Sequence, residues 1–318
     1  MPSALSGSGL ARALACPAAY ALPEAREGSS DATRGTQVHR FLELVSRGEP
    51  VTEHLAALDP ETRALCGAID LAEVPTGDDV RPEVALAYDV TTGAARELAS
   101  RGHRDYSDRR PTEITGTADL FFRRAGRWVC RDWKTARWDH DVELSRPQLD
   151  FYALAWARVH DLDTVTCEIA VIEDSGALRL YVWDHDWETL AGVAERVASA
   201  HQRVERARAD REAHERTHAA RWEPDVAVGA HCRYCPAERA CPATRALVAS
   251  LLGEDPATVD ASHLGRAYVA AQRAEKAAER ARDLAREAAK TGPLPTGDGR
   301  EVTLTRAGAL RLVRQRAA

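Results

Sequence analysis

Residues 113–135, EITGTADLFFRRAGRWVCRDWKT, constrain this chain more than any other segment. Two runs rich in β-branched, aromatic and aliphatic residues flank Ala125-Gly126, the signature of two antiparallel strands joined by a two-residue turn. With that turn, 124 pairs with 127 and, counting outwards, Asp119 faces Asp132. Facing residues project to the same side of a sheet with Cβ atoms about 4.5–5.5 Å apart. Lys134 lies two residues beyond Asp132, so the strand period puts it on that face too.

Two opposed carboxylates repel each other unless something cationic lies between them. A hard divalent ion, Mg2+ or Mn2+, suits carboxylate oxygens and keeps positions open for water and phosphate. A lysine beside the pair can hold a water or neutralise charge growing on phosphorus, so the set meets the needs of phosphodiester hydrolysis. The same pattern also fits a surface hairpin whose aspartates merely alternate with apolar residues, and a three-residue loop would shift the register.

Around this hairpin the pattern predicts a helix from near Gly35 carrying His39, Phe41, Leu42 and Val45, and a second apolar helical segment over 61–72. Strands are expected at Pro82–Val90, Glu113–Phe122, Arg127–Thr135, Thr164–Glu173 and Leu178–Trp183, with a helix at Val142–His160 before the last two. That order points to an α/β fold, a mixed central sheet flanked by helices. From Trp187 to about His218 the chain reads as a long arginine- and alanine-rich helix. A cysteine cluster follows, then a helix over 262–290 and a small hairpin over 294–305. The expected divisions are an N-terminal segment 1–34, a core 35–190, a helical region with cysteines 191–260 and a basic tail 261–318. The polar insertion Thr91–Pro111, with His103, Arg104, Asp105 and Tyr106, reads as a mobile loop or else one that faces the substrate; Asp184, His185 and Asp186 read as turn and cap residues.

The pattern Gly116-x-x-Asp119, Asp132-x-Lys134 resembles the PD-(D/E)XK nucleases, specifically their RecB-type branch. Gly35-Thr-x-x-His39 looks like the upstream helix of that branch, Glu83 stands where the family carries an acidic residue opening the first strand, and Gln148-x-x-x-Tyr152 matches its Q-x-x-x-Y helix. Residues four apart share a helix face, which makes the last spacing physically sensible. The resemblance implies a PD-(D/E)XK core in which His39, Asp119, Asp132 and the Trp133 carbonyl bind the metal. It implies that Lys134 positions the water, that Glu83 supports the metal, and that Gln148 and Tyr152 orient the lysine or the DNA. Ala118 stands where the superfamily name has proline, a departure the RecB-type branch tolerates.

A second motif is Cys232-x-x-Cys235-x5-Cys241. Three close cysteines suggest a metal centre that needs a fourth ligand, either the adjacent His231 or the distant Cys16. Cys16 resembles the single N-terminal cysteine of iron–sulfur RecB-type nucleases, among them AddB-type subunits and CRISPR-associated and phage RecB-like exonucleases. That likeness implies a structural [4Fe-4S] cluster on Cys16, Cys232, Cys235 and Cys241, stapling a helical C-terminal extension to the core. Cys66, Cys130 and Cys167 read as packed core residues.

Composition limits the alternatives. No apolar run approaches the roughly 18–20 residues of a membrane span, and the chain is expected to be cytoplasmic, where clustered cysteines suggest metal and not disulfides. The net charge of −6 argues weakly against a DNA-coating protein, but residues 266–318 alone carry +6. Their basic helix suits DNA, a protein partner or plain solvation. Only Lys134, Lys276 and Lys290 are lysines among 43 basic residues, so a lysine inside a chemical motif stands out. The function expected is a metal-dependent DNA exonuclease acting on single strands or ends. The alternatives are a catalytically inactive DNA-binding or assembly module of the same fold, or the nuclease with zinc in place of the cluster.

Overall fold

A computed structural model of the chain describes residues 5–24, 30–98, 106–135, 142–217, 222–229, 231–232, 235–253, 282, 284–296, 300–304 and 310–314. It divides into two compact units, Met1–Cys241 and Pro242–Ala318. The first is built on a six-stranded sheet of β1 (Val80–Asp89), β2 (Ala95–Glu97), β3 (Glu113–Arg124), β4 (Arg127–Thr135), β5 (Val165–Ile172) and β6 (Leu178–His185), in the order β2-β1-β3-β4-β5-β6. Every neighbour is antiparallel except β4 and β5, which are parallel. A parallel pair needs a crossover, and here the connection contains α5 (Val142–His160).

Helices cover both faces. α1 (Leu10–Ala15), α5 and α6 (Trp187–Thr217) share one apolar layer with Phe121, Cys130, Cys167 and Ile169. α2 (Ser30–Ser46), α3 (Thr52–Ala57) and α4 (Pro60–Ala68) share the other with Leu120, Phe122, Val129 and Trp133. Burial on two sides explains why β3 is buried along its first ten residues and β5 throughout, with no alternation of buried and exposed positions. The hairpin has the expected register: Arg124 pairs with Arg127 and the ladder runs to Leu120–Arg131. Ala125 (φ 50°) and Gly126 (φ 79°) are both left-handed, as a type I′ turn requires.

Several boundaries differ from expectation. α2 begins at Ser30, five residues before Gly35, and β1 begins at Val80, so Glu83 lies inside that strand and does not open it. The 91–111 insertion is not a simple loop. Its residues 95–97 form β2, and Glu113, buried at the start of β3, ties Arg96 and Arg110 together. Arg96 donates from Nε and Nη2 to the two Glu113 oxygens at 2.9 Å each, and the Arg110 amide donates to Oε2 at 2.7 Å. Residues 99–105, with His103, Arg104 and Asp105, lie outside the described set, as does Trp138.

The N-terminal segment is held by the long helix. Arg203 donates to the Leu14 carbonyl at 2.8 Å, Arg208 to that of Tyr20 at 3.4 Å, and Arg211 to that of Ala21. Tyr20 in turn donates to the Gly9 carbonyl at 2.9 Å, with the Arg12 guanidinium over its ring. In the second unit, α7 (Pro242–Leu252) and an antiparallel sheet of β7 (Leu294–Pro295), β8 (Arg300–Leu304) and β9 (Leu310–Arg314) are described. β7 and β8 form the expected hairpin, while most of the helix expected over 262–290 lies outside the described residues. Among the described residues no helix is long and apolar enough to cross a membrane.

The Arg96 hydrogen bonds, against burial, hold the Glu113 carboxyl below its ordinary value. Glu113→Gln is expected to cost about 2 kcal/mol at neutral pH. A carboxyl depressed in the folded state stabilises fully above its unfolded value of about 4.3 and loses that stabilisation as pH falls through the folded value. Urea unfolding of wild type and variant should therefore converge on acidification below about pH 4. A stability gap that stayed constant with pH would show that Glu113 acts through packing and not through charge.

Candidate active site

The site forms where the sheet's regularity fails. β1 and β3 pair at Pro82–Leu120 and at Val84–Ala118, but the ladder omits the pair between them, Glu83 and Asp119. Glu83 has φ 53°, a left-handed backbone that costs a non-glycine residue about 1–2 kcal/mol. The break reverses the facing of both strands. Val84, Leu86 and Ala118 pack into the α5 layer, whereas Val80, Leu120 and Phe122, still even-numbered, pack into the α2 layer. The ladder between β3 and β4 ends beside the same point, one pair short of Asp119 and Asp132. These two are therefore not the regular cross-strand pair that counting outwards from the turn suggests.

Instead the Asp119 carboxylate takes up bonding that the ladder gives up. Its Oδ2 accepts from the Trp133 amide at 2.9 Å and lies 3.3 Å from Nδ1 of His39, carried by α2. His39, Glu83 and Asp119 each offer a ligand atom, and the three lie within 4.8 Å of one another. On the α5 side, Asp132 is paired with Lys134 Nζ at 2.6 Å and accepts from Gln148 Nε2 at 3.1 Å. Gln148 Nε2 also lies 3.4 Å from Tyr152 Oη, so the two helix residues act as one bracket. The Tyr152 ring rests on Gly116, where a Cβ would come within 2.7 Å of it. That close approach is the physical reason for glycine at the head of the motif.

The electrostatics separate the two aspartates. Burial pushes Asp119 up, but His39, Lys134 and the Trp133 amide outweigh it and hold its carboxyl below the ordinary value. Burial also pushes Asp132 up; Lys134 opposes this and Asp119 reinforces it, leaving Asp132 raised. For His39, burial is outweighed by Asp119, so the imidazole is raised. Two carboxyls driven in opposite directions are a sign of crowded negative charge. A divalent cation among His39, Glu83, Asp119 and Asp132 would relieve it, and a donor set of carboxylates with one imidazole fits Mg2+ or Mn2+.

The structure thus gathers His39, Glu83, Asp119, Asp132, Lys134, Gln148 and Tyr152 around one point. Trp133 contributes its backbone; its indole is buried in the α2 layer with the Arg131 guanidinium 5.0 Å from the ring centre. Arg131 is itself fixed, donating to the buried Glu168 at 2.7 and 2.9 Å and to the Glu73 carbonyl at 2.9 Å. Tyr106 was missed as a neighbour of the site: its hydroxyl lies 2.8 Å from that of Thr117, two residues from Asp119. No spacing signal announces it, because the insertion that carries it has no periodicity.

Elsewhere, Cys16 packs with Ala18, Ala19, Val226 and Cys235, and Cys232 Sγ lies 3.7 Å from His231 Nε2. Burial pushes the Cys235 thiol up, and nearby Cys16 and Cys232 add to the effect. Among the described residues the thiols of Cys16, Cys232, Cys235 and Cys241 do not draw together to single-ion spacing. Cys66 and Cys130 are buried core residues; burial takes the Cys66 thiol to about 11.

A family model described as the PD-(D/E)XK nuclease superfamily matches residues 4–242. No curated protein matches the chain. Among solved structures, one titled "Crystal structure of SSO0001" is 15% identical, covering 74% of this chain and 85% of that one at a TM-score of 0.32, too slight a likeness to argue from.

If Gly116 exists to seat Tyr152, Gly116→Ala should cost roughly 1–3 kcal/mol by overpacking. Combined with Tyr152→Ala it should cost less than the sum of the two single changes. Denaturant unfolding of the four proteins measures this, and strict additivity would mean that the ring and the glycine are not coupled.

Proposed function

The chain belongs to the PD-(D/E)XK nuclease superfamily, and on that premise we propose that it is a Mg2+- or Mn2+-dependent deoxyribonuclease. The observation that carries this reading is the convergence of His39, Glu83 and Asp119 with the Asp132–Lys134 pair at the break in the ladder. A module that only bound DNA would gain nothing from burying mutually repulsive carboxylates.

In this reading His39, Glu83, Asp119 and Asp132, with the Trp133 carbonyl, hold the cation. When bound, it polarises the phosphate and offsets the negative charge gathered at the site. Lys134 keeps the attacking water against the phosphorus and balances charge on the phosphate oxygens. Gln148 holds the Asp132 carboxylate in orientation, and Tyr152 holds Gln148. Among the described residues the site holds groups for a metal and a phosphate and none placed to read a base, so cleavage in this reading is independent of sequence. The resemblance to the RecB-type branch favours an exonuclease working on single strands or DNA ends.

We also assign Cys16, Cys232, Cys235 and Cys241 as ligands of a structural [4Fe-4S] cluster. The packing of Cys16 against Cys235, more than two hundred residues later in the sequence, supports this. A second reading, zinc on Cys232, Cys235 and Cys241 with His231, draws on the 3.7 Å approach of His231 to Cys232.

With end-labelled single- and double-stranded DNA and Mg2+ or Mn2+, Lys134→Ala should lower the turnover rate about 100-fold or more. Gln148→Ala should lower it by roughly 10- to 100-fold. Digestion by Lys134→Ala at the wild-type rate would refute the assignment of the site. Anaerobically purified protein should be brown with broad visible absorption and should contain iron and acid-labile sulfide. A colourless, zinc-loaded preparation would decide for the second reading.

A further inference from the structure

A second cluster of metal-ligand side chains lies apart from the site above. Asp150 on α5, Cys167 on β5 and His185 on β6 are all buried, and each offers a donor atom within 4.8 Å of the others. Cys167 and His185 reach this place because β5 and β6 pair with Val165 opposite His185 and Cys167 opposite Trp183, which puts both on the sheet face under α5. Asp150 sits between Gln148 and Tyr152 in sequence. Two residues turn a helix by about 200°, so Asp150 looks away from the bracket those two form.

Part of the cluster is an ordinary hydrogen-bonded hub. Asp150 Oδ1 accepts from Trp183 Nε1 at 3.0 Å and lies 2.8 Å from His185 Nε2; Oδ2 lies 3.3 Å from Arg196, whose side chain is half exposed. That hub accounts for the carboxylate. It leaves two features without a purpose. His185 Nδ1 is buried with no hydrogen-bond partner, although a buried imidazole normally commits both ring nitrogens. The Cys167 thiol lies within 4.8 Å of a donor atom on each of the other two groups and makes only a long contact, 3.8 Å, to the Leu149 carbonyl.

We propose that Asp150, Cys167 and His185 form a binding site for a thiophilic divalent cation, zinc by its donor chemistry, distinct from the catalytic site. One oxygen, one sulfur and one imidazole nitrogen are a ligand set for Zn2+, with the fourth position left to water. Mg2+ does not take thiolate, so ligand softness sorts the two ions between the two sites. Binding replaces the proton on Cys167 Sγ with the metal bond and releases that proton to solvent, one per ion. The ion ties α5 to β5 and β6. Because α5 also carries Gln148 and Tyr152, the ion fixes the helix that orients Asp132. The proposal does not rest on nuclease activity.

Chelator-stripped full-length protein titrated with Co2+ tests it. To silence the other cysteine motif, the titration uses the Cys232→Ser/Cys235→Ser variant. One equivalent of Co2+ should bind with a near-ultraviolet thiolate charge-transfer band, bleached by Zn2+ and untouched by Mg2+. Adding Cys167→Ser should abolish the band. Absence of the band in the double variant, or its persistence with Cys167→Ser, would overturn the site. Should Cys167→Ser fail to fold, X-ray absorption on the zinc-loaded double variant decides: one sulfur in the metal's first shell supports the proposal, and none or several refutes it.

Discussion

The unpaired step between Glu83 and Asp119 governs the rest of the site. A ladder kept regular through this point would set Glu83 and Asp119 side by side on one face and hold that facing along both strands; with the break, the two gather with His39 while the strands change facing on either side of them. The left-handed turn of Glu83 breaks that regularity in β1, and β3 follows. The apolar side chains of both strands then change layers: Val80, Leu120 and Phe122 on one side of the break go to the core under α2, and Val84, Leu86, Ile114 and Ala118 on the other side go to the core under α5. The backbone strain is of order 1–3 kcal/mol, and those two cores over-determine the geometry that bears it. On the β3 side, where the ladder has ended, the Trp133 amide becomes a hydrogen-bond donor to Asp119.

What the sequence made legible follows from periodicity. The Ala125-Gly126 turn and the register behind it could be counted, because a hairpin's pairing is set locally by its turn. The bounds of α5 and β4 were equally readable. The break at Glu83 was not, since no local signal marks a glutamate that will take a left-handed backbone; only the packing of two layers makes it tenable. For the same reason the insertion was misjudged. Arg96, Arg110 and Tyr106 carry no pattern, and their order comes from Glu113 and Thr117 on a strand to which they are tied by tertiary contacts. His185 illustrates a third kind of miss. As one of three consecutive polar residues ending a strand it looked like a turn residue; Asp186 does cap α6, but His185 belongs to the interior with Asp150.

The division of labour among cations explains the near absence of lysine. Arginine's planar fork suits fixed, multidentate contacts, and the structure uses it that way at Arg96 with Glu113, at Arg131 with Glu168, and along α6 at the carbonyls of the N-terminal segment. Lys134, a compact charge on a flexible stem, stands beside Asp132. In this part of the fold arginine braces the scaffold, and the lysine sits at the candidate site.

The arginines of α6 carry a consequence for how the protein is made. The N-terminal segment finds its binding surface 189 residues downstream, where Arg203 meets the Leu14 carbonyl. During synthesis the segment meets its partners in chain order: β3 and α5, with which it shares one apolar layer, emerge before α6 does. Contacts of such sequence separation close late and slow folding. The carbonyls of Leu14, Tyr20 and Ala21 therefore gain their arginine donors only once α6 has been made, however early the segment itself emerges.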